Sequence, residues 1–179
     1  MLTSHLHQAH KIWKKHLQPG DSAIDATCGN GHDALFLMRC HLSHLYCIDI
    51  QQAALNQTEE RLLSFKKFSL HLACHSTFPM VANPIQLIVY NLGYLPGGNK
   101  ALTTQVKTTL QSIENGYNLL NKNGLISITL YPGHPEGKQE EKSILNWVSQ
   151  LPHNKFQVCH YRWLKSSKSP TLLTIKKTN

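Results

Sequence analysis

The chain of 179 residues is long enough for one domain with a sizeable core and short for two. Hydrophobic residues make up 41% of it and charged residues 16%, a balance that suits a compact fold and excludes an intrinsically disordered chain. The net charge of +8 is compatible with a polyanionic partner such as a nucleic acid, but a basic surface tuned for solubility explains it almost as well.

Targeting, disulfide and metal signals are weak along the whole sequence. There is no apolar run of about 18 residues, and residues 1–17 lack the apolar stretch of a secretory signal, so we expect a cytoplasmic protein. Five cysteines are scattered without a CxxC pair, which predicts reduced thiols. Three of the twelve histidines, His5, His7 and His10, are expected to share a solvated helix, and we predict no bound metal.

Hydrophobic spacing predicts a first helix and then alternating strands and helices. The first helix has one apolar stripe at three- and four-residue steps, formed by Leu2, Leu6, Ala9, Trp13 and Leu17. Strands are predicted at residues 22–26, 45–49, 69–73, 85–90 and 125–131. Helices are predicted at residues 33–39, 51–64, 103–120 and 136–151, and Asn123-Gly124 is interpreted as a helix stop signal.

The C-terminal region departs from this alternation. Two strands, at residues 156–164 and 171–175, are joined by a Lys/Ser-rich loop with no helix, so they should pair antiparallel. We therefore predict an α/β, Rossmann-like fold with a mostly parallel seven-stranded sheet, a C-terminal antiparallel hairpin and helices on both faces. It is predicted to be a single domain over residues 1–179, in which a helix within residues 1–20 packs on the sheet. Such a hairpin is typical of the main class of methyltransferases, whereas dinucleotide-binding domains usually stay parallel.

A glycine-containing loop, Asp25-Ala26-Thr27-Cys28-Gly29-Asn30-Gly31, follows the first predicted strand and precedes a helix, where open α/β sheets bind ligands. Gly29 and Gly31 allow the backbone to turn sharply and to approach a ligand. The spacing nearly fits a dinucleotide fingerprint, but Asp25 would repel a pyrophosphate and attract the cationic methionine moiety of S-adenosylmethionine. Asp49, which ends the second strand, suits the ribose hydroxyls of either cofactor. Cys28 is expected to be a small packing residue at this site.

Two later loops are expected to reach the same edge of the sheet. Asn91-Leu92-Gly93-Tyr94 follows the fourth strand, where methyltransferases acting on exocyclic amines often carry Asn/Asp-Pro-Pro-Tyr/Phe. The amide of Asn91 or a backbone carbonyl would hold the amine, and the ring of Tyr94 would stack on the target. The match is partial, and an ordinary surface loop is the alternative. Two prolines and two glycines stiffen the loop from Tyr131 to Lys138, in which His134 either faces the cleft or packs within the loop.

Several segments together resemble the MnmM-type family of class I methyltransferases, which act on the wobble uridine of certain bacterial tRNAs. The resemblance covers nearly the whole chain in order and spacing, and it rests on DATCGNGHD from Asp25, IDIQ from Ile48, NLGYLPGGNK from Asn91 and YPGHPEGK from Tyr131. Family members often have Met at Cys28 and Ser-His-Asp at Cys74-His75-Ser76. The resemblance implies S-adenosylmethionine as cofactor and conversion of 5-aminomethyl-(2-thio)uridine at tRNA position 34 to its N-methylated form. It also implies tRNA, through its anticodon region, as partner, and it is compatible with a homodimer.

These motifs predict a site with three groups of residues. The cofactor-binding residues are predicted to be Asp25, Thr27, Cys28, Gly29, Asn30, Gly31, Asp49, Ile50, Gln51, Cys74 and His75. The catalytic residues are predicted to be Asp33, Asn91, Tyr94 and His134. The substrate-binding residues are predicted to be His32, Leu95, Pro96, Gly97, Gly98, Asn99, Lys100 and Pro135. An aliphatic amine must lose a proton before it attacks, and His32, Asp33 or His134 could accept it.

Three alternatives stay open at the sequence level. The same fold could methylate rRNA or a small amine. The glycine loop could serve an NAD-linked oxidoreductase. The chain could also be a non-catalytic RNA-binding module that has kept the fold.

Overall fold

The chain forms seven strands and five helices in a computed structural model that describes residues 4–78, 81, 84–95, 97, 103–164 and 168–178. The strands are β1 (Ser22–Asp25), β2 (His44–Asp49), β3 (Phe68–Leu72), β4 (Ile85–Asn91), β5 (Leu120–Leu130), β6 (Phe156–Tyr161) and β7 (Thr171–Lys177). The helices are α1 (Ser4–His16), α2 (His32–Met38), α3 (Gln52–Leu62), α4 (Val106–Leu119) and α5 (Pro135–Val148).

All seven strands belong to one sheet in the order β3-β2-β1-β4-β5-β7-β6. Strands β1 to β5 run parallel, and β7 lies antiparallel between β5 and β6. This confirms the predicted Rossmann-like architecture with its C-terminal antiparallel hairpin. The chain crosses from β3 past β2 and β1 to β4, so the connections that follow β1 and β4 leave the sheet on opposite faces. Sheets of this kind bind ligands at such a topological switch point.

Two hydrophobic cores cover the two faces of the sheet. On one face α1, α2 and α3 contribute Trp13, Leu37 and Leu62, and on the other α4 and α5 contribute Ile113 and Ile144. Each of these side chains is at most 1% exposed, and burying one of this size stabilises the fold by about 1.5–3 kcal/mol. The indole of Trp13 also donates a 2.8 Å hydrogen bond to Ser127 Oγ, so α1 is fastened to β5 as well as packed on the sheet.

Strand β5 begins earlier than the sequence predicts. Helix α4 ends at Leu119, and the chain enters the strand at Leu120 without a loop. Residue Asn123, interpreted as part of a helix stop, has φ +64° and lies inside an irregular stretch where the register with β4 shifts between Ile85 and Leu87. Asparagine tolerates this left-handed conformation, so the Asn-Gly pair forms a bulge rather than a boundary.

The expectation that His5, His7 and His10 are solvated is wrong for two of them. His7 is exposed, but His5 and His10 are only 8% and 9% exposed. His5 meets the rings of Tyr131 and Trp163 edge-on, and His10 stacks on Phe36. In the described part of the chain, no helix has the length and apolar character needed to span a membrane.

Candidate active site

A cleft of about 810 Å³ opens at the carboxyl edge of the sheet, beside the switch point. It is lined by the loops that follow β1 to β5, together with Leu6 of α1, Thr108 of α4 and Lys168 of the loop between β6 and β7. Most of the predicted site residues described by the structure line it together: Thr27, Cys28, Gly29, Asn30, His32, Asp33, Asp49, Ile50, Gln51, Cys74, His75, Asn91, Tyr94, Leu95 and His134.

Four predicted residues lie beside the cleft rather than along its wall, namely Asp25, Gly31, Gly97 and Pro135. Asp25 is fully buried under the glycine loop. Gly97 and Pro135 are exposed, and Pro135 is the first residue of α5. The predicted substrate-binding residues Pro96, Gly98, Asn99 and Lys100 lie outside the described residues.

Gly31 is required by packing against α3 and not by a ligand. It has φ +75°, and a Cβ atom placed there would lie 2.8 Å from Thr58 Cα. Gly29 also has a positive φ, of +50°, but its missing Cβ would face Leu95 Cδ1 at 3.3 Å, on the cleft side of the loop. A Cβ at Gly29 would therefore narrow the space on the cleft side, whereas the missing Cβ of Gly31 lets the loop pack onto the helix.

Two side chains of α3 fasten the glycine loop, and the sequence reasoning missed both. Thr58 donates through Oγ1 to the carbonyl oxygen of Gly29 at 3.1 Å. Arg61 donates through Nε to the carbonyl oxygen of Asn30 at 2.8 Å. These residues are three apart on the helix and so share a face, a spacing that could have indicated them.

Asp49 joins the first two loops through its carboxylate. Oδ2 accepts from the Gly29 backbone N–H at 3.0 Å, and Oδ1 accepts from the Gln51 N–H at 2.9 Å. Burial raises the pKa of Asp49, and these backbone hydrogen bonds oppose that rise. The carboxylate thus sets the distance between the two loops that are predicted to bind the methionine and ribose parts of the cofactor.

The third strand brings Cys74 and His75 to the predicted adenine side. Burial lowers the pKa of His75 to about 4, so the imidazole is neutral at physiological pH, and its ring meets Tyr90 edge-on. Cys28, at the base of the same half of the cleft, is buried, and burial raises the pKa of its thiol. A protonated thiol of this kind is a poor nucleophile, which agrees with the packing role expected for Cys28.

On the other side of the cleft, Asn91 is held by two neighbours. Its side-chain N–H donates a short hydrogen bond to Asp33 Oδ2, and its backbone N–H donates to Thr27 Oγ1 at 2.7 Å. The second oxygen of Asp33 lies 2.6 Å from His10 Nε2. Because a carboxylate only accepts, the contact with Asp33 fixes which end of the Asn91 amide carries the nitrogen.

The rings of Tyr94 and His134 face each other across this half of the cleft, with centroids 6.0 Å apart. His134 also caps α5, since its Nδ1 accepts from the Gly137 N–H at 3.2 Å. Nδ1 also lies 3.2 Å from Glu136 Oε2, which only accepts hydrogen bonds, so the ring is shared between the helix cap and this exposed carboxylate.

A buried carboxylate fixes the loop that follows β4. Glu140 of α5 accepts 2.8 Å hydrogen bonds from the hydroxyls of Thr104 and Thr109. Thr104 Oγ1 in turn accepts from the Gly93 N–H, also at 2.8 Å. Burial raises the pKa of Glu140 while both hydroxyls lower it. The sequence reasoning did not identify this anchor, because Glu140 resembles any polar position of a surface helix.

Unpartnered polar atoms indicate what kind of ligand the cleft accepts. Asp25 Oδ2, Asn30 Oδ1 and Asn91 Oδ1 are buried and have no hydrogen-bond partner among the described residues. Buried polar groups are nearly always satisfied, so the two of these oxygens that line the cleft, on Asn30 and Asn91, call for hydrogen-bond donors. Burial, by contrast, raises the pKa of Asp25 and favours its neutral form beneath the loop. S-adenosylmethionine carries an ammonium, a sulfonium, ribose hydroxyls and an adenine amine, and it fits this set. A pyrophosphate, which needs donors, does not.

Comparison with known proteins decides the family. The family model described as "Putative rRNA methylase" matches residues 45–177. The chain belongs to this family. This rRNA methylase family member is 33% identical over 181 residues to the protein named "tRNA (mnm(5)s(2)U34)-methyltransferase, chloroplastic" of Arabidopsis thaliana. The alignment covers 92% of the chain and 66% of that relative, so the chain spans about two thirds of the relative's length.

Solved structures of similar proteins have the same fold over their whole length. A "putative rRNA-methylase" from Clostridium thermocellum superposes with a TM-score of 0.93 at 28% identity, covering 99% of each chain. SMU.1697c, a "putative methyltransferase" from Streptococcus mutans in complex with SAH, superposes with a TM-score of 0.89 at 33% identity, again covering 99% of each chain. The rRNA methylase family member described here is an S-adenosylmethionine-dependent methyltransferase with a class I fold.

Proposed function

We propose that this methyltransferase transfers a methyl group to the exocyclic amine of 5-aminomethyl-(2-thio)uridine at position 34 of tRNA. The observation that carries the proposal is the state of the Asn91 amide. Its nitrogen is committed to Asp33, while its buried oxygen has no partner among the described residues. That oxygen requires a donor, and an amine N–H supplies one.

Beyond holding the amine, the enzyme contributes to the reaction by positioning the reacting groups. When bound, the cofactor supplies an electrophilic methyl carbon next to the glycine loop. Asn91 and Tyr94 hold the acceptor amine on the far side of that carbon, and alignment of this kind can contribute ~7–11 kcal/mol to lowering the barrier. His32, Asp33 and His134 all line the cleft, and we propose that one of these three accepts the proton that the amine loses.

Two further observations support tRNA as the substrate class. The curated relative from Arabidopsis thaliana is named for methylation of a tRNA wobble uridine. The net charge of +8 suits a polyanion, because each phosphate contact made by Lys or Arg releases counterions. The same charge also fits rRNA, so the experiment must separate the two.

The test is methyl transfer from labelled S-adenosylmethionine to tRNA and to rRNA, both isolated from cells that lack the gene. We expect label in tRNA only, and mass spectrometry of the nucleosides should show 5-aminomethyl-(2-thio)uridine falling as the methylaminomethyl form rises. Label in rRNA but not in tRNA would overturn the proposal. Binding of tRNA with no methyl incorporation would favour a non-catalytic RNA-binding module instead.

A further inference from the structure

Helix α1 contacts the acceptor side of the cleft through the buried side chain of His10, among others. His10 Nε2 lies 2.6 Å from Asp33 Oδ1, and the two residues are 9% and 7% exposed. Residues 1–44 lie outside the match to the family model, and no sequence motif draws attention to His10. The contact nevertheless links the N-terminal helix to the residue that holds Asn91.

Both oxygens of Asp33 are used, and they point to different elements. Oδ1 is paired with His10 of α1, and Oδ2 accepts from the Asn91 amide at the end of β4. Asp33 lies in the first turn of α2, where the N-terminal end of the helix dipole favours a carboxylate. The result is a row of three side chains that ends on the unpartnered oxygen of Asn91.

We propose that His10 is a positioning residue for methyl transfer. By fixing Asp33, it fixes the orientation of the Asn91 amide, whose nitrogen donates to Asp33 and whose buried oxygen has no partner among the described residues. This inference rests on the proposed function, because it assigns a purpose to the orientation of Asn91. Without His10, Asp33 can rotate about its side-chain bonds, and the amide of Asn91 then loses its single defined orientation.

The surroundings of His10 are built to hold its ring still. The imidazole stacks on Phe36 with centroids 3.9 Å apart and planes 14° from parallel. It also lies 5.1 Å, centroid to centroid, from Trp13, which is fastened to Ser127 of β5. A ring held on two sides directs its N–H more sharply than a flexible donor does, and a hydrogen bond to a carboxylate is among the stronger ones in proteins.

Two substitutions separate positioning from packing. His10→Phe keeps a planar ring against Phe36 and removes the donor, whereas His10→Gln places an amide N–H near the position of Nε2 and removes the ring. We expect His10→Phe to lower kcat at least tenfold while the Kd for S-adenosylmethionine changes less than twofold, and we expect His10→Gln to recover most of kcat. His7→Phe, on the exposed side of the same helix, is the matched control and should leave kcat unchanged.

A purely structural role for His10 would give a different pattern. Both His10 variants would then lose Tm and would lose kcat by the same factor. Equal loss of kcat in His10→Phe and His10→Gln, or a kcat of His10→Phe within twofold of wild type, would overturn the proposal.

A second readout does not depend on the substrate. In a ¹⁵N-labelled sample, the side-chain amide of Asn91, identified by its disappearance in Asn91→Ala, should give one sharp pair of resonances in wild type. It should broaden or split in His10→Phe and sharpen again in His10→Gln. If tRNA is not methylated but these spectra change as expected, only the proposed function fails. Unchanged Asn91 resonances in His10→Phe would contradict the positioning role, whatever the substrate.

Discussion

The two halves of the cleft are built by different means. On the cofactor side, the key contacts are to backbone groups: Asp49 accepts from two N–H groups, and Thr58 and Arg61 hold two carbonyl oxygens. On the acceptor side, Thr27 and Thr104 also hold backbone N–H groups. The orientation of the Asn91 side chain, however, depends on contacts between side chains, from His10 through Asp33. Backbone contacts need the right loop shape, whereas side-chain contacts need particular residues.

This difference tells us what substitutions should do. A change on the cofactor side should alter loop geometry, and therefore cofactor affinity or stability. A change on the acceptor side should leave the cofactor loops intact and reduce turnover, because the amine is no longer aligned with the methyl carbon. A cofactor-side substitution that lowers only turnover, or an acceptor-side substitution that lowers only cofactor affinity, would contradict this division.

The largest effect is expected for Asn91→Ala. It removes the amide that should hold the acceptor amine, and losing one such group in an active site commonly costs about 10²–10³ in kcat. The Kd for S-adenosylmethionine, measured by calorimetry, should stay within about threefold, since alanine keeps the backbone N–H that donates to Thr27 and the cofactor side is untouched. Unchanged turnover at saturating tRNA would remove Asn91 from the mechanism and break the contrast between the halves.

The second prediction concerns acid sensitivity on the cofactor side, at His75. Its folded pKa, about 4, lies below the ordinary 6.5, so protons bind the unfolded chain more readily than the folded one. Stability from neutral His75 is therefore present above pH 6.5 and is lost as the pH falls towards 4. At about 1.4 kcal/mol for each pH unit, the loss amounts to about 3 kcal/mol.

His75→Gln provides the measurement. Free energies of unfolding from urea titrations at several pH values should fall less steeply between pH 6.5 and 4 in the variant than in wild type. The quantity to compare is the slope of the unfolding free energy against pH, because a packing difference between variant and wild type changes that free energy equally at every pH. Parallel curves would show that His75 does not contribute to the acid response.

The third prediction addresses Gly31, at the end of the glycine loop on the cofactor side. Gly31→Ala places a Cβ 2.8 Å from Thr58 Cα at φ +75°, whereas Gly20→Ala meets nothing within 4 Å at φ +94°. Both variants bear the cost of a left-handed residue, but only Gly31→Ala must also push α3 away. We expect Gly31→Ala to be about 2 kcal/mol less stable than Gly20→Ala in urea denaturation. Equal destabilisation would mean that α3 moves aside at little cost.

The sequence predicts the cofactor side better than the acceptor side for the same structural reason. Backbone loops are specified by neighbouring residues, so the stretch from Asp25 to Gly31 and the position of Asp49 could be interpreted locally. His10 and Asn91 each approach Asp33 from distant parts of the chain, 23 and 58 residues away. Hydrophobic periodicity counts histidine as polar, and so it predicted a solvated position for a residue that is buried and stacked.

The same limit applies to the fold. Alternating apolar segments predicted every described strand, and the terminal hairpin followed from the missing helix. Local sequence patterns predict neither the early start of β5 nor the buried anchor Glu140. The bulge at Asn123 depends on pairing with β4, and the Glu140 carboxylate is satisfied by Thr104, so both depend on residues far along the chain. Local patterns give the elements, while polar contacts between elements require the structure.

The smallest effect is expected for Asp49→Asn, and it probes the cofactor side directly. An amide can keep one of the two backbone N–H contacts but presents its own N–H groups to the other, so the Gly29 and Gln51 loops separate slightly. We expect the Kd for S-adenosylmethionine to rise about tenfold, equivalent to about 1.4 kcal/mol, with kcat at saturating cofactor nearly unchanged. A fall in kcat with unaltered Kd would assign Asp49 to alignment of the reacting groups. Loop shape would then govern both halves of the cleft, and the division between backbone-built and side-chain-built halves would no longer hold.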